Sequence, residues 1–301
     1  MDYAETLNPK RHRDAQMAAL QRLATAPDPS ARPALRELYA YYAHDGPKRD
    51  AGAYMRRKIV DALRPIAQVE DADQLAAACE TYERLPPAFT EEAGLLRGGA
   101  LLALAEVDGV LAEFHAARLL TDPHTDRMSG EPAVTAARVL ANQSAWLPLY
   151  LVAGYGDMSD AARPARRSPR PPREAAPEGQ PSIAPPEVVA ECLRGLVTLP
   201  LALVPGLLKL HGQDRDPVIR IGLFDLLINH RSGPLETDYL ARSLADLTDV
   251  DAYRYLVMAL AAARHAGLAE LLRDAHRLET RRDRLAVLAE ADQIFHFLKS
   301  A

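Results

Sequence analysis

One short pattern returns along this chain at a fixed interval and limits the folds that it can adopt. The pattern is an apolar residue, an arginine and, three residues after the arginine, a second apolar residue. In three successive copies the arginines Arg56, Arg97 and Arg138 are 41 residues apart. The later copies are more closely spaced and contain Arg194, Arg220 and Arg254. A period near 40 residues is typical of repeats that each consist of paired helices.

The most apolar copy lies in the stretch DRDPVIRIGLFDLLI, residues 214–228. Asp216 followed by Pro217 predicts the start of a helix, with the acid as N-cap and the proline at the first helical position. The apolar residues after it occupy adjoining faces, so their arc is too broad for a helix that packs on one side only. The stretch DPSARPAL, residues 28–35, repeats the spacing of acid, proline, arginine and leucine. Stacked helix pairs can bury such faces, whereas one pair alone cannot.

With Asp216, Ile219 and Arg220 in the order acid, apolar residue, arginine, the chain resembles the HEAT/armadillo-type helical-repeat family. The resemblance covers nearly the whole sequence. It implies an all-α fold, a right-handed α-α superhelix of about seven helix pairs with a C-terminal capping helix. It also implies a structural role for the repeat residues, because the family's arginines join neighbouring repeats through acids. These residues are Arg97, Arg138, Arg194, Asp216, Arg220 and Arg254.

The composition favours the same fold class. Hydrophobic residues make up 48% of the chain but aromatic residues only 6%, and alanine and leucine, which favour helices, dominate. The pattern predicts helix pairs at 12–43, 52–84, 91–120, 131–154, 187–212, 217–247 and 250–277, and a final helix at 282–300. We therefore expect a single HEAT-like solenoid over residues 1–301.

The Arg/Pro-rich segment at 157–186 interrupts this pattern. It has eight prolines between positions 161 and 186 and almost no large apolar residues. Such a segment cannot bury enough surface to offset the entropy of ordering, so the sequence predicts a disordered loop. Its basic residues Arg166, Arg167 and Arg170, spaced among prolines, could dock on a partner, and a tolerated insertion is the alternative.

Four further residues are candidates for partner binding. Arg56, Arg57 and Lys58 belong to a basic group that has tyrosines nearby in sequence and could meet phosphates, or could form a solvated surface. Trp146, the only tryptophan, could anchor a partner or pack in the core. Charge is uneven, with a net +4 over residues 1–66 and −8 over residues 67–130. This asymmetry suggests a polarised partner surface, whereas the total of −5 argues against a dedicated nucleic-acid binder.

Catalytic, cofactor and metal motifs are missing from the sequence. It contains no His-Glu-x-x-His, paired Cys-x-x-Cys, phosphate-binding glycine loop or Gly-x-Ser-x-Gly elbow. Cys79 and Cys192 lie among apolar neighbours, which predicts buried, reduced thiols. We find no apolar signal core and no run approaching the ~18–20 apolar residues of a membrane span, and therefore expect a cytoplasmic protein without a membrane partner.

These observations favour a non-catalytic scaffold or adaptor that binds a protein partner along the concave face of a solenoid. Some HEAT-like proteins are similar to DNA glycosylases that hold DNA in a basic groove, so a nucleic-acid binder of this type is the alternative. A further alternative is an accessory subunit of an enzyme-maturation or lyase complex. No catalytic, cofactor-binding or metal-binding residue is nominated.

Overall fold

The structure is a computed structural model that describes residues 2–87, 90–155, 184–230 and 233–297. The described part is all-α apart from one small antiparallel hairpin, in which β1 (Arg84–Leu85) pairs with β2 (Thr90–Glu91). The first ten helices are α1 (Tyr3–Thr6), α2 (Arg13–Thr25), α3 (Arg32–Ala43), α4 (Gly46–Arg49), α5 (Tyr54–Leu63), α6 (Ala72–Cys79), α7 (Gly94–Val107), α8 (Gly109–Leu119), α9 (Ala133–Asn142) and α10 (Trp146–Tyr155). The others are α11 (Pro186–Gly195), α12 (Val204–His211), α13 (Pro217–His230), α14 (Pro234–Asp246), α15 (Val250–Ala262), α16 (Ala266–Leu278) and α17 (Arg282–Phe295).

Acidic residues begin several of these helices. Asp216 Oδ1 accepts a hydrogen bond of 2.9 Å from the Val218 backbone N–H, and α13 begins at Pro217, which confirms the predicted cap. Asp108 caps α8 and Asp249 caps α15 in the same manner. Each carboxylate satisfies backbone N–H groups that have no partner inside the helix, and it lies at the positive end of the helix dipole.

The chain folds as two compact units, residues 1–145 and residues 146–301. In the first unit α2, α5, α7 and α9 form one row in which each helix contacts the next, and α6 and α8 pack beside that row. In the second unit α11, α13, α15 and α17 form the corresponding row, accompanied by α14 and α16. The core of each unit consists mainly of leucine and alanine side chains between these helices.

The observed helices of eight residues or more follow the predicted helix pairs closely, but the short helices α1 and α4 lie outside those pairs, and two boundaries differ. The last helix ends at Phe295 rather than at residue 300, because His296 takes a left-handed conformation with φ 56°. Helix α11 begins at Pro186, inside the predicted loop. Residues 157–183 of that loop lie outside the described residues. Among the helices that are described, none is both long and apolar enough to cross a membrane.

Candidate functional site

Arg97 of α7 lies at the centre of a buried polar cluster in the first unit. Its side chain has no exposed surface, and its Nη1 is 2.7 Å from Glu91 Oε1 while its Nη2 is 3.1 Å from Asp122 Oδ2. Nη1 also donates to the Thr81 carbonyl at 3.0 Å, and the guanidinium lies 4.1 Å from the centre of the Tyr82 ring. Burial acts to raise the pKa of Glu91, but the hydrogen bond from Arg97, the charge of Arg97 and the backbone N–H groups of Glu83 and Ala93 together lower it, so that the net change is downward.

Arg56 repeats this arrangement one period earlier. It bonds to Asp50, six residues before it, and to Glu83, 27 residues after it. The corresponding acids of Arg97 stand six residues before it and 25 after it. Arg56 is 3% exposed, so a partner could not contact its guanidinium in this structure. We therefore assign it to the repeat arginines rather than to a partner-binding surface.

The other repeat residues differ in how far they are buried. Arg194 Nε is 2.8 Å from Asp225 Oδ2 on the neighbouring helix α13, and Tyr255 of α15 donates to the same carboxylate at 2.6 Å. Arg254 is exposed and pairs with Glu290 at 3.2 Å. Arg138 is exposed on α9.

Arg220 is half-buried, and Asp216 caps its helix without forming an ion pair with it.

Sequence reasoning missed Arg284 of α17. Its side chain is buried, its Nη1 donates to the Leu244 carbonyl at 2.9 Å, and it pairs with Glu279 at 3.2 Å. The Tyr253 ring lies 4.5 Å from the guanidinium. The sequence did contain a signal for this role. Arg284 has an acid five residues before it, and Arg56 and Arg97 each have an acid six residues before them.

The basic group at the start of α5 is largely occupied by contacts within the first unit. Arg57 bonds to Asp61 at 3.1 Å and donates to the Leu95 carbonyl. Its guanidinium also fills the space over Gly99, where an added Cβ would overlap it. Lys58 Nζ lies 5.9 Å from the centre of the Tyr54 ring. Arg57 therefore connects α5, to which it belongs, with α7, which contains Leu95 and Gly99.

The remaining predicted partner residues are scattered. Trp146 begins α10, is half-buried and meets the Tyr150 ring edge-on at 6.4 Å between centres. The three loop arginines Arg166, Arg167 and Arg170 lie outside the described residues. The structure does not bring Trp146 together with the basic group of α5 in one unit.

An exposed aromatic surface, which the sequence did not predict, lies beside the Arg97 cluster. We define it by Tyr82, Phe114 and Arg118. Phe114 is 56% exposed and Tyr82 45% exposed. The Arg118 guanidinium is 5.7 Å from the centre of the Phe114 ring and pairs with Glu80. Aromatic and arginine side chains of this kind are enriched among the residues that contribute most to protein–protein binding.

The two thiols are not available for chemistry in the folded chain. Burial raises the pKa of the Cys79 thiol to about 12 and also raises that of Cys192. A thiolate is the nucleophile and metal ligand, so these groups are inert at neutral pH. Within the described ranges, no three His, Cys, Asp or Glu side chains are grouped so that they could hold a metal ion.

Comparison with known protein families, curated proteins and solved structures finds no match to the chain.

Proposed function

We propose that this chain is a non-catalytic scaffold or adaptor and that it binds a partner protein through the aromatic surface of its first unit. The observation that carries the proposal is the exposure of Phe114 and Tyr82 beside Arg118. Leaving large aromatic side chains in water forgoes the free energy of burying them, about 1.5–3 kcal/mol for a phenylalanine. A partner that covers them would recover that free energy.

The elements that carry the surface are held firmly in place. Tyr82 donates to Asp122 at 3.2 Å and stacks on Arg97, which is itself paired with Glu91 and Asp122. Glu80 at the end of α6 pairs with Arg118 of α8. These contacts join two neighbouring helices and the loop that follows α8, so Tyr82 and Arg118 lose little side-chain entropy when a partner binds.

The apolar part of the surface continues along α8. Val110 stands one helical turn before Phe114 and is also exposed. Residues four apart lie on the same side of a helix, so the two side chains form a short apolar strip. Arg118, one turn further, supplies a charge at its end. This arrangement fits a partner that presents an apolar side chain next to a carboxylate.

The test compares two substitutions of equal chemistry at exposed apolar positions. Tagged wild-type chain, Phe114→Asp and Val250→Asp are used to capture proteins from untreated lysate of the native cells, and the captured material is then treated with nuclease. Val250 is exposed at the first position of α15 in the second unit, where an acid also suits the helix dipole. We expect one protein to be retained by the wild type and Val250→Asp and to be lost with Phe114→Asp.

The captured protein is then purified and titrated against the same three chains. A loss of about tenfold or more in affinity with Phe114→Asp alone would support the proposal. Equal binding by all three chains, or release of the captured material by nuclease, would contradict it. The second result would instead favour a nucleic-acid partner.

A further inference from the structure

We infer that a basic cavity in the second unit binds a small organic phosphate. The cavity lies among α12, α13 and α14 and has a volume of about 470 Å³. Small-molecule sites are commonly clefts of roughly 300–1,000 Å³ with a few well-placed polar groups. The cavity therefore has room for a molecule the size of a nucleoside monophosphate.

Each of the three helices contributes one cation to the lining. These are Lys209 of α12, Arg220 of α13 and Arg242 of α14. Among the residues that the structure describes, no acid forms an ion pair with any of the three. One acid, Asp246, also lines the cavity, so the lining carries a net charge of +2. Lys209 and Arg242 are exposed and Arg220 is half-buried. Arg194, another half-buried arginine of the same unit, is paired with a carboxylate.

The Tyr239 side chain has a fixed position on the cavity wall. Its hydroxyl donates to the Gly212 carbonyl at 2.9 Å. Burial raises the pKa of Tyr239, whereas a hydrogen bond with Ser243 and the positive charges of Arg220 and Arg242 act to lower it. Arg220, Tyr239 and Arg242 all line this one cavity.

The wall also has an apolar part, formed by Pro205, Leu208 and Leu235. An anion without an organic body would leave these side chains and the Tyr239 ring unused. A phosphate suits the cations, because guanidinium groups donate paired hydrogen bonds to its oxygens. A ring attached to that phosphate could lie against the tyrosine and the leucines. Together these groups select a phosphate ester with a flat or apolar body.

Binding is measured by calorimetric titration of the full chain with AMP. Adenosine and inorganic phosphate, the two parts of AMP, are titrated separately for comparison. We expect one AMP per chain, no detectable adenosine binding and weaker binding of inorganic phosphate. Arg220→Gln and Arg242→Gln should each weaken AMP binding about tenfold or more, since each removes a charged hydrogen-bond donor. Arg277→Gln is the matched control, because Arg277 is an exposed arginine of the same unit that does not line the cavity.

A further variant distinguishes loss of AMP binding from loss of folding. Leu235 is exposed in the first turn of α14, so Leu235→Glu places a negative charge in the cavity at a position where the helix dipole favours it. We expect an unchanged melting temperature and lost AMP binding. The inference is overturned if AMP does not bind, if the cavity variants bind as the wild type does, or if inorganic phosphate binds as tightly as AMP.

Discussion

Arginine is the residue whose role in this chain depends most on its neighbours. A buried guanidinium is stable only when carboxylates and carbonyls replace the water that it has lost. Arg56 and Arg97 meet this condition with an acid on each side along the sequence, and Arg284 meets it with Glu279 and the Leu244 carbonyl. The 41-residue spacing placed Arg56, Arg97 and Arg138 in one series, although Arg138 is exposed. It could not predict their burial, because burial depends on acids in loops outside the repeated pattern.

Glu279 makes the stability of the second unit dependent on pH. Its carboxylate accepts hydrogen bonds from the Arg281 side chain and from the backbone N–H groups of Thr280 and Arg281. The hydrogen bond with Arg281 is the largest cause that lowers the pKa of Glu279 to about 2 from its ordinary 4.5. Because the folded pKa lies below the unfolded one, the carboxylate stabilises the fold above pH 4.5, and this contribution fades as the pH falls toward 2.

We therefore expect Glu279→Gln to lower the free energy of unfolding by about 2 kcal/mol at pH 7, after allowance for the partial exposure of Arg281. The difference from the wild type should shrink between pH 4.5 and 2. Urea unfolding followed at several pH values measures it. Glu270→Gln, at an exposed position of α16, serves as control and should leave the pH profile unchanged. A constant difference from pH 7 to pH 2 would contradict the assignment.

At the scale of elements, the sequence predicted where the helices lie but not which residues of different helices come together. The acid–proline opening predicted the start of α13 at Pro217, and the structure confirms it. At the similar opening Asp28–Pro29 the acid caps a 3-10 turn, Pro29–Ala31, and α3 begins after it at Arg32. Local sequence determines such starts, because a cap is made by residues within one turn of it. The cavity joins residues from three helices at positions 209, 220 and 242. No short motif connects these positions, and so the sequence pointed only to Arg220, as a structural residue.

The contact between α11 and α13 depends on Gly222, which has no side chain. A Cβ at Gly222 would lie 2.6 Å from both the Cα and the carbonyl oxygen of Ala190. The two backbones can therefore approach this closely only with glycine at that position. This packing explains why a glycine stands in the middle of an otherwise apolar helix, where it costs about 1 kcal/mol relative to alanine.

Gly222→Ala should consequently destabilise the second unit by about 2 kcal/mol or more, because the backbone of α11 must shift. Gly206→Ala is a control in the neighbouring helix α12, where the added Cβ would approach nothing closer than 3.7 Å from the Tyr150 hydroxyl. There the substitution should be neutral or stabilising by up to about 1 kcal/mol. Thermal and urea unfolding of both variants measure these changes in stability. Equal effects at the two positions would show that the close approach does not govern stability.

At the scale of the whole molecule, the first unit contains two successive stretches of sequence with opposite net charge. The sequence suggested that the basic residues 1–66 and the acidic residues 67–130 form a polarised partner surface. In the structure Arg32 pairs with Asp71 at 2.8 Å and Arg64 with Glu106 at 2.7 Å. Arg56 and Glu83 form the same kind of pair. Much of the asymmetry is therefore neutralised inside the unit, across sequence separations of 27 to 42 residues.

These ion pairs and the apolar core that surrounds them are contained within residues 1–145. We therefore expect residues 1–145, expressed alone, to keep a helical circular-dichroism spectrum and a cooperative urea transition. A shorter piece ending at residue 107 retains Arg97 but lacks its partner Asp122 and the packing of α8 and α9. Removing one partner of a buried pair costs about 3–5 kcal/mol, so this piece should unfold gradually and at lower urea. If both pieces unfolded gradually, the first unit would not be an independent folding unit, and the fold would require residues beyond 145.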